Sequence, residues 1–253
     1  MPVSVSVAWQ YDSRSYGARR SPHKPAASMV RCGARHQLRL LNVGPIGDSG
    51  QVDSRRWDER YAGTEFEWTT RPNQFVAAEL AGLPSGRALD LAAGEGRNSV
   101  WLAEHGWRVT AVDFSRVGLD KGRKLAVARG VDEARLEWIV ADLCDYEPDQ
   151  DSFDLVLVAY LQVGAELRAT VLARAGAALA PGGTLLVVGH DLTNLTEGVG
   201  GPQYPEVLYT PESITAEVSG LRVLKAGRVH RTVERDGVSG VAIDTVVRAV
   251  RDA

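Results

Sequence analysis

Short apolar runs alternate along this chain with longer segments in which apolar residues recur every three or four positions. The runs with the length and composition of strands are Arg87–Leu91, Arg108–Val112, Leu136–Val140, Phe153–Ala159 and Thr184–Gly189. The segments with helical spacing between them are Arg97–His105, Ser115–Ala128 and Glu166–Leu179. Strands that alternate with helices are typical of a parallel sheet covered on both faces.

The segments before Arg87 and after Gly189 depart from the alternation of strands and helices. Two further helices are predicted before the first strand, near Asp58 and near Asn73–Leu80, and a short one begins at Thr210-Pro211. The last predicted strands are Leu221–Glu234 and Gly240–Val250, joined by a hairpin turn. We therefore predict an α/β, Rossmann-like, doubly wound sheet of seven strands, five of them parallel and followed by a C-terminal antiparallel hairpin. Right-handed crossovers place its ligand crevice at the carboxyl ends of the strands.

Composition and charge divide the chain into two parts. The 253 residues are 44% hydrophobic and 24% charged, which suits one large domain, assigned to residues 51–253. Residues 1–50 carry seven basic and two acidic residues and are rich in Ser, Gly and Pro. Their apolar residues follow neither the helical nor the strand spacing. We predict a disordered basic N-terminal segment, with Met29 as a possible true start. A basic arm that grips a polyanion is the alternative.

The charge balance and the two cysteines exclude several kinds of partner. The net charge is −3 for the whole chain and −8 for residues 51–253, so neither nucleic acid nor a membrane is predicted as a partner. Two cysteines make neither a disulfide framework nor a metal cluster, which predicts no metal and a cytoplasmic location. The uncharged residues 175–189 are too few to span a bilayer, and the N-terminus lacks a signal-peptide core. We expect a monomer or a homodimer.

The strongest local motif runs from Asp90 to Ser99, from a predicted strand directly into a helix. Gly94 and Gly96 permit a positive φ and let a ligand touch the backbone, and the helix amino terminus behind them offers free N–H groups. A plain tight turn would also explain the glycines.

Two further carboxylates follow at the ends of the next two strands. Asp113 is placed to accept two hydrogen bonds from a ribose diol, or else to cap the helix that begins near Ser115. Asp142 is placed to accept a hydrogen bond from an adenine amino group, or else to be a turn residue. Three carboxylate-bearing strand ends around one glycine turn favour a nucleoside-containing ligand.

These residues carry a family resemblance over roughly residues 55–250. The motifs concerned are Asp90-x-Ala92-x-Gly94-x-Gly96, Asp113, Ala141-Asp142, Phe153-Asp154-Leu155-Val156 and Leu179-Ala180-Pro181-Gly182-Gly183. They resemble the successive motifs of class I S-adenosylmethionine-dependent methyltransferases. Residues 94–103 and Trp57-Asp58-Glu59-Arg60-Tyr61 resemble, within that class, the tellurite-resistance and thiopurine-methyltransferase-like branch. The resemblance implies that S-adenosylmethionine is the cofactor.

The resemblance also implies roles for individual residues. Gly94 and Gly96 would face the methionine part, Asp113 the ribose and Asp142 the adenine, while Arg60 and Tyr61 would close over the cofactor. The predicted cofactor-binding residues are Arg60, Tyr61, Asp90, Ala92, Gly94, Gly96, Arg97, Asp113, Phe114, Asp142, Leu143 and Ala159. Ala92 departs from the family pattern, in which many members have a glycine, and we expect its methyl group to narrow the turn without blocking it.

Three other functions fit parts of the pattern. A nicotinamide dinucleotide would need a third glycine where Ser99 stands, so an NAD(P)-binding oxidoreductase is the weaker interpretation. An enzyme of the same fold that moves an aminopropyl group lacks motifs of its own here. A methyltransferase-like domain that binds cofactor or a partner without catalysis is the remaining alternative.

The methyl acceptor is predicted to bind at the carboxyl ends of the fourth and fifth strands. Tyr160 and His190 are the candidate catalytic residues there, under a Gly- and Pro-rich loop, Leu192–Tyr209, that resembles a lid. His190 and Asp191 suggest a base and its partner, but neighbours on a strand point to opposite faces. The resembled branch methylates soft or small acceptors, so we expect a small thiol, chalcogen or other heteroatom acceptor, in-line methyl transfer, and only a modest loss of turnover in His190→Ala.

Overall fold

The structure, a computed structural model, describes residues 54–63, 65–235 and 238–253. Of residues 235 and 238 it describes the backbone alone. The predicted N-terminal segment, residues 1–50, and the two central residues of the predicted hairpin turn, 236 and 237, lie outside these ranges.

Seven strands form one sheet in the order β3-β2-β1-β4-β5-β7-β6. The strands are β1 Arg87–Leu91, β2 Arg108–Asp113, β3 Leu136–Val140, β4 Phe153–Ala159, β5 Leu179–His190, β6 Arg222–Arg235 and β7 Val238–Val250. Strands β1 to β5 pair in parallel, and β7 runs antiparallel to both β5 and β6. The predicted seven-stranded sheet with five parallel strands and a C-terminal antiparallel hairpin is confirmed.

Helices cover both faces of the sheet. The helices are α1 Ser54–Tyr61, α2 Gln74–Leu80, α3 Arg97–Glu104, α4 Arg116–Ala128, α5 Ala165–Ala178, α6 Asn194–Glu197 and α7 Pro211–Glu217. Neighbouring residues of β4 point to opposite faces: Val156 belongs to a core cluster with Leu172 of α5, and Leu155 to a second cluster with Val76 of α2 and Leu102 of α3. No helix in the described ranges has the length and apolar character needed to cross a bilayer.

The predicted start of the fifth strand, Thr184, is wrong by five residues. Strand β5 already pairs with β4 at Leu179, and the register shifts between there and Thr184. Gly182 has a φ of +80°, and a Cβ at Gly183 would lie 2.9 Å from the Phe153 carbonyl oxygen. The Pro-Gly-Gly motif therefore forms an irregular part of the strand, where its composition indicated a turn before the strand.

Candidate active site

The turn between β1 and α3 has three residues in the left-handed region. The φ angles are +61° at Ala92, +56° at Gly94 and +71° at Gly96. A non-glycine residue in this region costs about 1–2 kcal/mol. Ala92 therefore adopts the conformation that a glycine would favour, and its methyl group leaves the turn intact.

Both glycines are closely packed on the side where a Cβ would stand. A Cβ at Gly94 would lie 3.0 Å from the Tyr61 hydroxyl oxygen, and one at Gly96 would lie 2.7 Å from two ring carbons of Trp138. The turn is therefore held between α1 and β3. For Gly96, the expectation that the missing side chain lets a ligand approach is corrected: the missing side chain makes room for the indole of Trp138.

Asp113 connects the glycine turn to the start of α4. Its Oδ2 accepts a hydrogen bond from the Gly94 backbone N–H at 2.8 Å, and its Oδ1 accepts one from the Ser115 N–H at 2.8 Å. Burial raises the pKa of the carboxyl to about 6, against the effect of these two hydrogen bonds. Ser115 caps α4 through its own hydroxyl, which accepts from Gly118 N–H at 3.0 Å. Each Asp113 oxygen keeps a second lone pair for a ligand hydroxyl.

Asp90 lies buried at the end of β1, beneath the same turn. Its Oδ2 accepts a 2.6 Å hydrogen bond from the Ser99 hydroxyl, and its Oδ1 has no hydrogen-bond partner in the described part of the chain. Burial raises the pKa of Asp90 to about 7, with a smaller contribution from Asp113. The Asp90 carboxyl thus has one oxygen without a partner in the described part of the chain, and it can hold a proton near pH 7.

The raised pKa of the buried Asp90 carboxyl predicts that the protein becomes less stable as the pH rises from 5 to 7. Unfolded, the Asp90 carboxyl is ionised above about pH 4; folded, with its pKa at about 7, it keeps its proton through most of that interval. The folded state binds more protons, so the free energy of unfolding should fall by about 2 kcal/mol from this group. Urea denaturation at both pH values should show that Asp90→Asn loses this part of the slope. Asp113 titrates in both proteins, and equal slopes would contradict the prediction.

The other predicted cofactor residues, which follow β2 and β3 or end β4, differ in burial. Asp142 is exposed after β3, and its Oδ1 accepts from the Cys144 N–H at 2.8 Å, as a turn residue does. Phe114 and Leu143 are half-buried, and Ala159 is buried at the end of β4. A role of Asp142 toward adenine stays a prediction.

Helix α1 packs its carboxyl-terminal end against the glycine turn and α4. Asp58 accepts hydrogen bonds from the Ser115 hydroxyl at 2.5 Å and from the Val117 N–H at 3.3 Å. Tyr61 is buried, and burial raises the pKa of its phenol well above the ordinary value. These contacts bring Tyr61, one of the two residues expected to close over the cofactor, directly against Gly94.

Arg60, the second of these residues, is engaged elsewhere in the structure. Its guanidinium forms an ion pair with Glu67 at 2.7 Å and stacks on Trp57 and Trp68, at 5.3 and 5.0 Å from the ring centroids. Arg60 therefore ties α1 to the segment that follows it. Its contact with a cofactor stays a prediction.

Glu95 is a site residue that the sequence analysis did not single out. It is 3% exposed, and its carboxylate accepts from the backbone N–H groups of Glu67 and Trp68 and pairs with Lys121 at 3.0 Å. The turn thereby holds the segment between α1 and α2. The sequence feature that could have identified Glu95 is its position as a charged residue between the two glycines of the turn.

Arg97 begins α3 and is half-buried, and its guanidinium makes no hydrogen bond or ion pair to the described residues. Burial lowers the pKa of its guanidinium, and the positive charge of Arg231 acts in the same direction, whereas Tyr160 opposes it. An unpaired guanidinium beside a helix amino terminus suits an anionic group of a ligand.

A second polar cluster lies at the carboxyl ends of β4 and β5. Tyr160 has a φ of +58°, and its hydroxyl accepts from the Asn73 side chain at 2.9 Å and donates to Asp244 Oδ2 at 2.9 Å. The His190 ring lies 4.8 Å from the Tyr160 ring, centroid to centroid. The two predicted catalytic residues are therefore neighbours, and a strained backbone holds one of them.

Asp244 of β7 is the acid beside His190. It is completely buried and lies opposite His190 in the β5–β7 register, with Asp244 Oδ1 3.1 Å from His190 Nδ1. Asp191 instead accepts from Thr193, Thr245 and Arg228. Asp191 therefore has other partners than His190, as the alternation of side chains along a strand implied. An isolated aspartate in the apolar run of β7 was the signal that could have identified Asp244.

The predicted lid, Leu192–Tyr209, contains α6 and a 3₁₀ turn at Pro205–Val207. Its Val199 N–H donates to the Val241 carbonyl oxygen of β7 at 3.0 Å. A Cβ at Gly201, where φ is +75°, would lie 3.1 Å from His190 Cγ and Nδ1. The loop therefore packs against the imidazole, as a cover for this cluster would.

Part of this chain is similar in sequence to known proteins. Residues 88–183 match the family described as a methyltransferase domain. A demethylmenaquinone methyltransferase of Clavibacter sepedonicus is 41% identical over 92 residues, 36% of this chain and 33% of that protein. Nodulation protein S of Rhizobium tropici is 33% identical over 133 residues, 50% of this chain and 52% of that protein. The chain thus spans about a third to a half of the length of these relatives.

A solved structure shares the fold. The N-methyltransferase NodS from Bradyrhizobium japonicum WM9, in complex with S-adenosylhomocysteine, superposes with a TM-score of 0.60 and 18% identity, over 79% of this chain and 99% of that one. At this identity the comparison shows a shared fold, and the family match concerns residues 88–183. The tellurite-resistance and thiopurine-methyltransferase-like branch stays a prediction.

Proposed function

We propose that residues 88–183, which match the family described as a methyltransferase domain, bind S-adenosylmethionine as a class I methyltransferase does, and that the whole chain transfers a methyl group from this cofactor to a small-molecule acceptor. The observation that carries the proposal is the left-handed turn Ala92–Gly96, bonded to the buried carboxylate of Asp113 at the carboxyl edge of the sheet. Fold likeness alone would not carry it, because related folds host other chemistry.

The residues present fit S-adenosylmethionine. Asp113 would hold the ribose hydroxyls, and Arg97 with the amino terminus of α3 would hold the carboxylate of the methionine part. Asp90 Oδ1, a buried acceptor without a partner in the described chain, would accept from a donor of the ligand or from a bound water. Tyr61 would cover the cofactor beside Gly94, and Asp142 would accept from the adenine amino group.

The chain's own part in the reaction is alignment and exclusion of water. When bound, S-adenosylmethionine supplies a methyl group on a positively charged sulfur, which is a good leaving group. Tyr160 and His190 would line the acceptor site, and the loop Leu192–Tyr209 would enclose it. Orientation for in-line attack can supply much of the rate.

The acceptor that we propose is a small molecule with a thiol, chalcogen or other heteroatom. The net charge of −8 over residues 51–253 would repel a phosphate backbone, and the sequence has no basic stripe. The relatives named above are called a demethylmenaquinone methyltransferase and an N-methyltransferase, and so differ in acceptor. A cytoplasmic monomer or homodimer is part of the same proposal.

Two measurements test the proposal. Calorimetry should show that the purified chain binds S-adenosylhomocysteine at one site. Release of S-adenosylhomocysteine should then be measured across a panel of thiols, selenols, phenols and amines, with tRNA and duplex DNA as further candidates. Absence of cofactor binding would refute the function, and robust methylation of tRNA or DNA would refute the small-molecule acceptor.

We also propose that residues 1–50 are dispensable for the domain. They show no core periodicity in the sequence, so their deletion should change the melting temperature by less than about 2 °C and leave the affinity for S-adenosylhomocysteine within about twofold. Scanning calorimetry and titration calorimetry on both proteins check this. A large drop in either quantity would show that the segment packs on the domain.

A further inference from the structure

We propose that Asp244 positions His190 as the base that removes a proton from the methyl acceptor, so that the acceptor is a hydroxyl or a thiol that arrives protonated. The inference rests on the proposed methyl transfer and narrows its substrate class. It replaces the expectation that His190 contributes only modestly, which rested on the soft acceptors of the resembled branch.

Asp244 receives polar groups from β5, from β6 and from the residue that follows β4. The Tyr160 hydroxyl and the Arg231 Nε each donate to its Oδ2 at 2.9 Å, and His190 Nδ1 lies 3.1 Å from its Oδ1. The side chain is 0% exposed, yet its pKa lies below the ordinary value: burial raises it, and the contacts from His190 and Arg231 lower it by more. Asp244 is therefore a charged acceptor at neutral pH.

His190 is held so that one ring nitrogen faces Asp244 and the other stays available. The Nδ1–Oδ1 separation is within hydrogen-bond range, although the ring is not aligned for the bond. Nε2 makes no hydrogen bond within the described chain, and the side chain is 12% exposed. Gly201 and Tyr160 pack on the ring. A histidine held in this way can expose a lone pair at Nε2.

The charged and titratable groups around the pair are Arg231 and Tyr160, with Arg97 beyond the tyrosine. Arg231 Cζ lies 5.9 Å from the centroid of the Tyr160 ring, and burial, with Asp244 second, raises the pKa of Tyr160 well above the ordinary value. Tyr160 therefore stays protonated and donates to Asp244. It cannot be the base, which leaves His190 as the proton acceptor at this end of the sheet.

The proposed methyl transfer is a single displacement that is accompanied by proton transfer to His190. The acceptor X–H bond breaks and its proton goes to His190 Nε2, while a lone pair on X forms the bond to the methyl carbon. The carbon–sulfur bond breaks with its electron pair on sulfur, which becomes a neutral thioether. The imidazolium, held beside Asp244, later releases its proton to water.

The first experiment needs no acceptor. Long-range ¹H–¹⁵N NMR should show that neutral His190 carries its proton on Nδ1, the tautomer that donates to Asp244 and leaves Nε2 free. Asp244→Asn should shift the tautomer toward Nε2–H. The matched control Asp191→Asn, which changes another fully buried acid that directly follows β5, should leave it unchanged. An Nε2–H tautomer in the unmodified protein overturns the proposal, and this measurement needs no variant to fold.

The second experiment uses acceptor acidity. With a thiophenol, which is ionised at pH 8, His190→Ala and Asp244→Asn should lose less than about tenfold in kcat; with the phenol of the same shape, the loss should reach about 10²–10⁴-fold. The deficit of His190→Ala should shrink as the pH rises toward the ionisation of the phenol. Equal losses on both acceptors would mean a merely structural role and would overturn the proposal.

The outcomes separate this inference from the proposed function. Calorimetry with S-adenosylhomocysteine should give the same affinity, within about threefold, for both variants and the parent, because neither residue is assigned to the cofactor. If the parent binds no cofactor, the proposed function fails. If it binds, and the tautomer or the acidity dependence is absent, the base assignment alone fails.

Discussion

Asp113→Ala is expected to lower the affinity for S-adenosylhomocysteine by about 30- to 1,000-fold. The change would remove the two proposed ligand hydrogen bonds to a charged acceptor, which together would contribute about 2–4 kcal/mol. It also removes the acceptor for the Gly94 N–H, so the glycine turn loses a bond that fixes its conformation. Titration calorimetry at pH 7.5 gives the affinity directly, and denaturation of each protein shows whether the fold is intact.

A matched control is available on the helix that follows. Asp120 of α4 is exposed and pairs with Arg123 on the same helix, so Asp120→Ala removes an equal charge outside the crevice. It should change the affinity by less than twofold, because exposed pairs contribute little. An unchanged affinity in Asp113→Ala, with the control behaving as expected, would remove Asp113 from the cofactor site.

Gly96→Val is expected to lower the free energy of unfolding by about 3–5 kcal/mol. A β-branched residue at a φ of +71° carries a backbone cost, and its Cβ would stand 2.7 Å from the Trp138 ring, so the indole must move. We expect Gly96→Val to reduce the stability of the fold directly and to reduce cofactor binding only as a consequence. Chemical denaturation monitored by tryptophan fluorescence measures it.

Gly130 separates the two causes. It has a φ of +65°, and nothing stands within 4 Å of the place where its Cβ would be, so Gly130→Ala reports the backbone cost alone, about 1 kcal/mol. Gly96→Ala should cost at least twice as much, because the contact with Trp138 is added. Equal losses in the two alanine variants would show that Trp138 yields without cost.

The sequence by itself determined the order of strands and helices along the chain and the edge of the sheet at which the predicted site residues lie. Continuous apolar runs such as residues 155–158 are typical of a strand buried on both faces, and the spacing of Gly94, Asp113 and Asp142 after successive strands puts them at one edge of a parallel sheet. These features depend on local periodicity and on chain direction, which a sequence states directly.

Only the tertiary structure decided which side chains meet across the sheet. Asp244 faces His190 because β7 inserts between β5 and β6 with that register, and a shift of one residue would have turned the carboxylate to the other face. Glu95 likewise obtains its partners, Trp68 and Lys121, from segments 26 or more residues away in the chain. The ring of Trp138 on β3 packs against Gly96 in the turn after β1. Register and helix docking depend on the packing of the whole core, so no local pattern contains them.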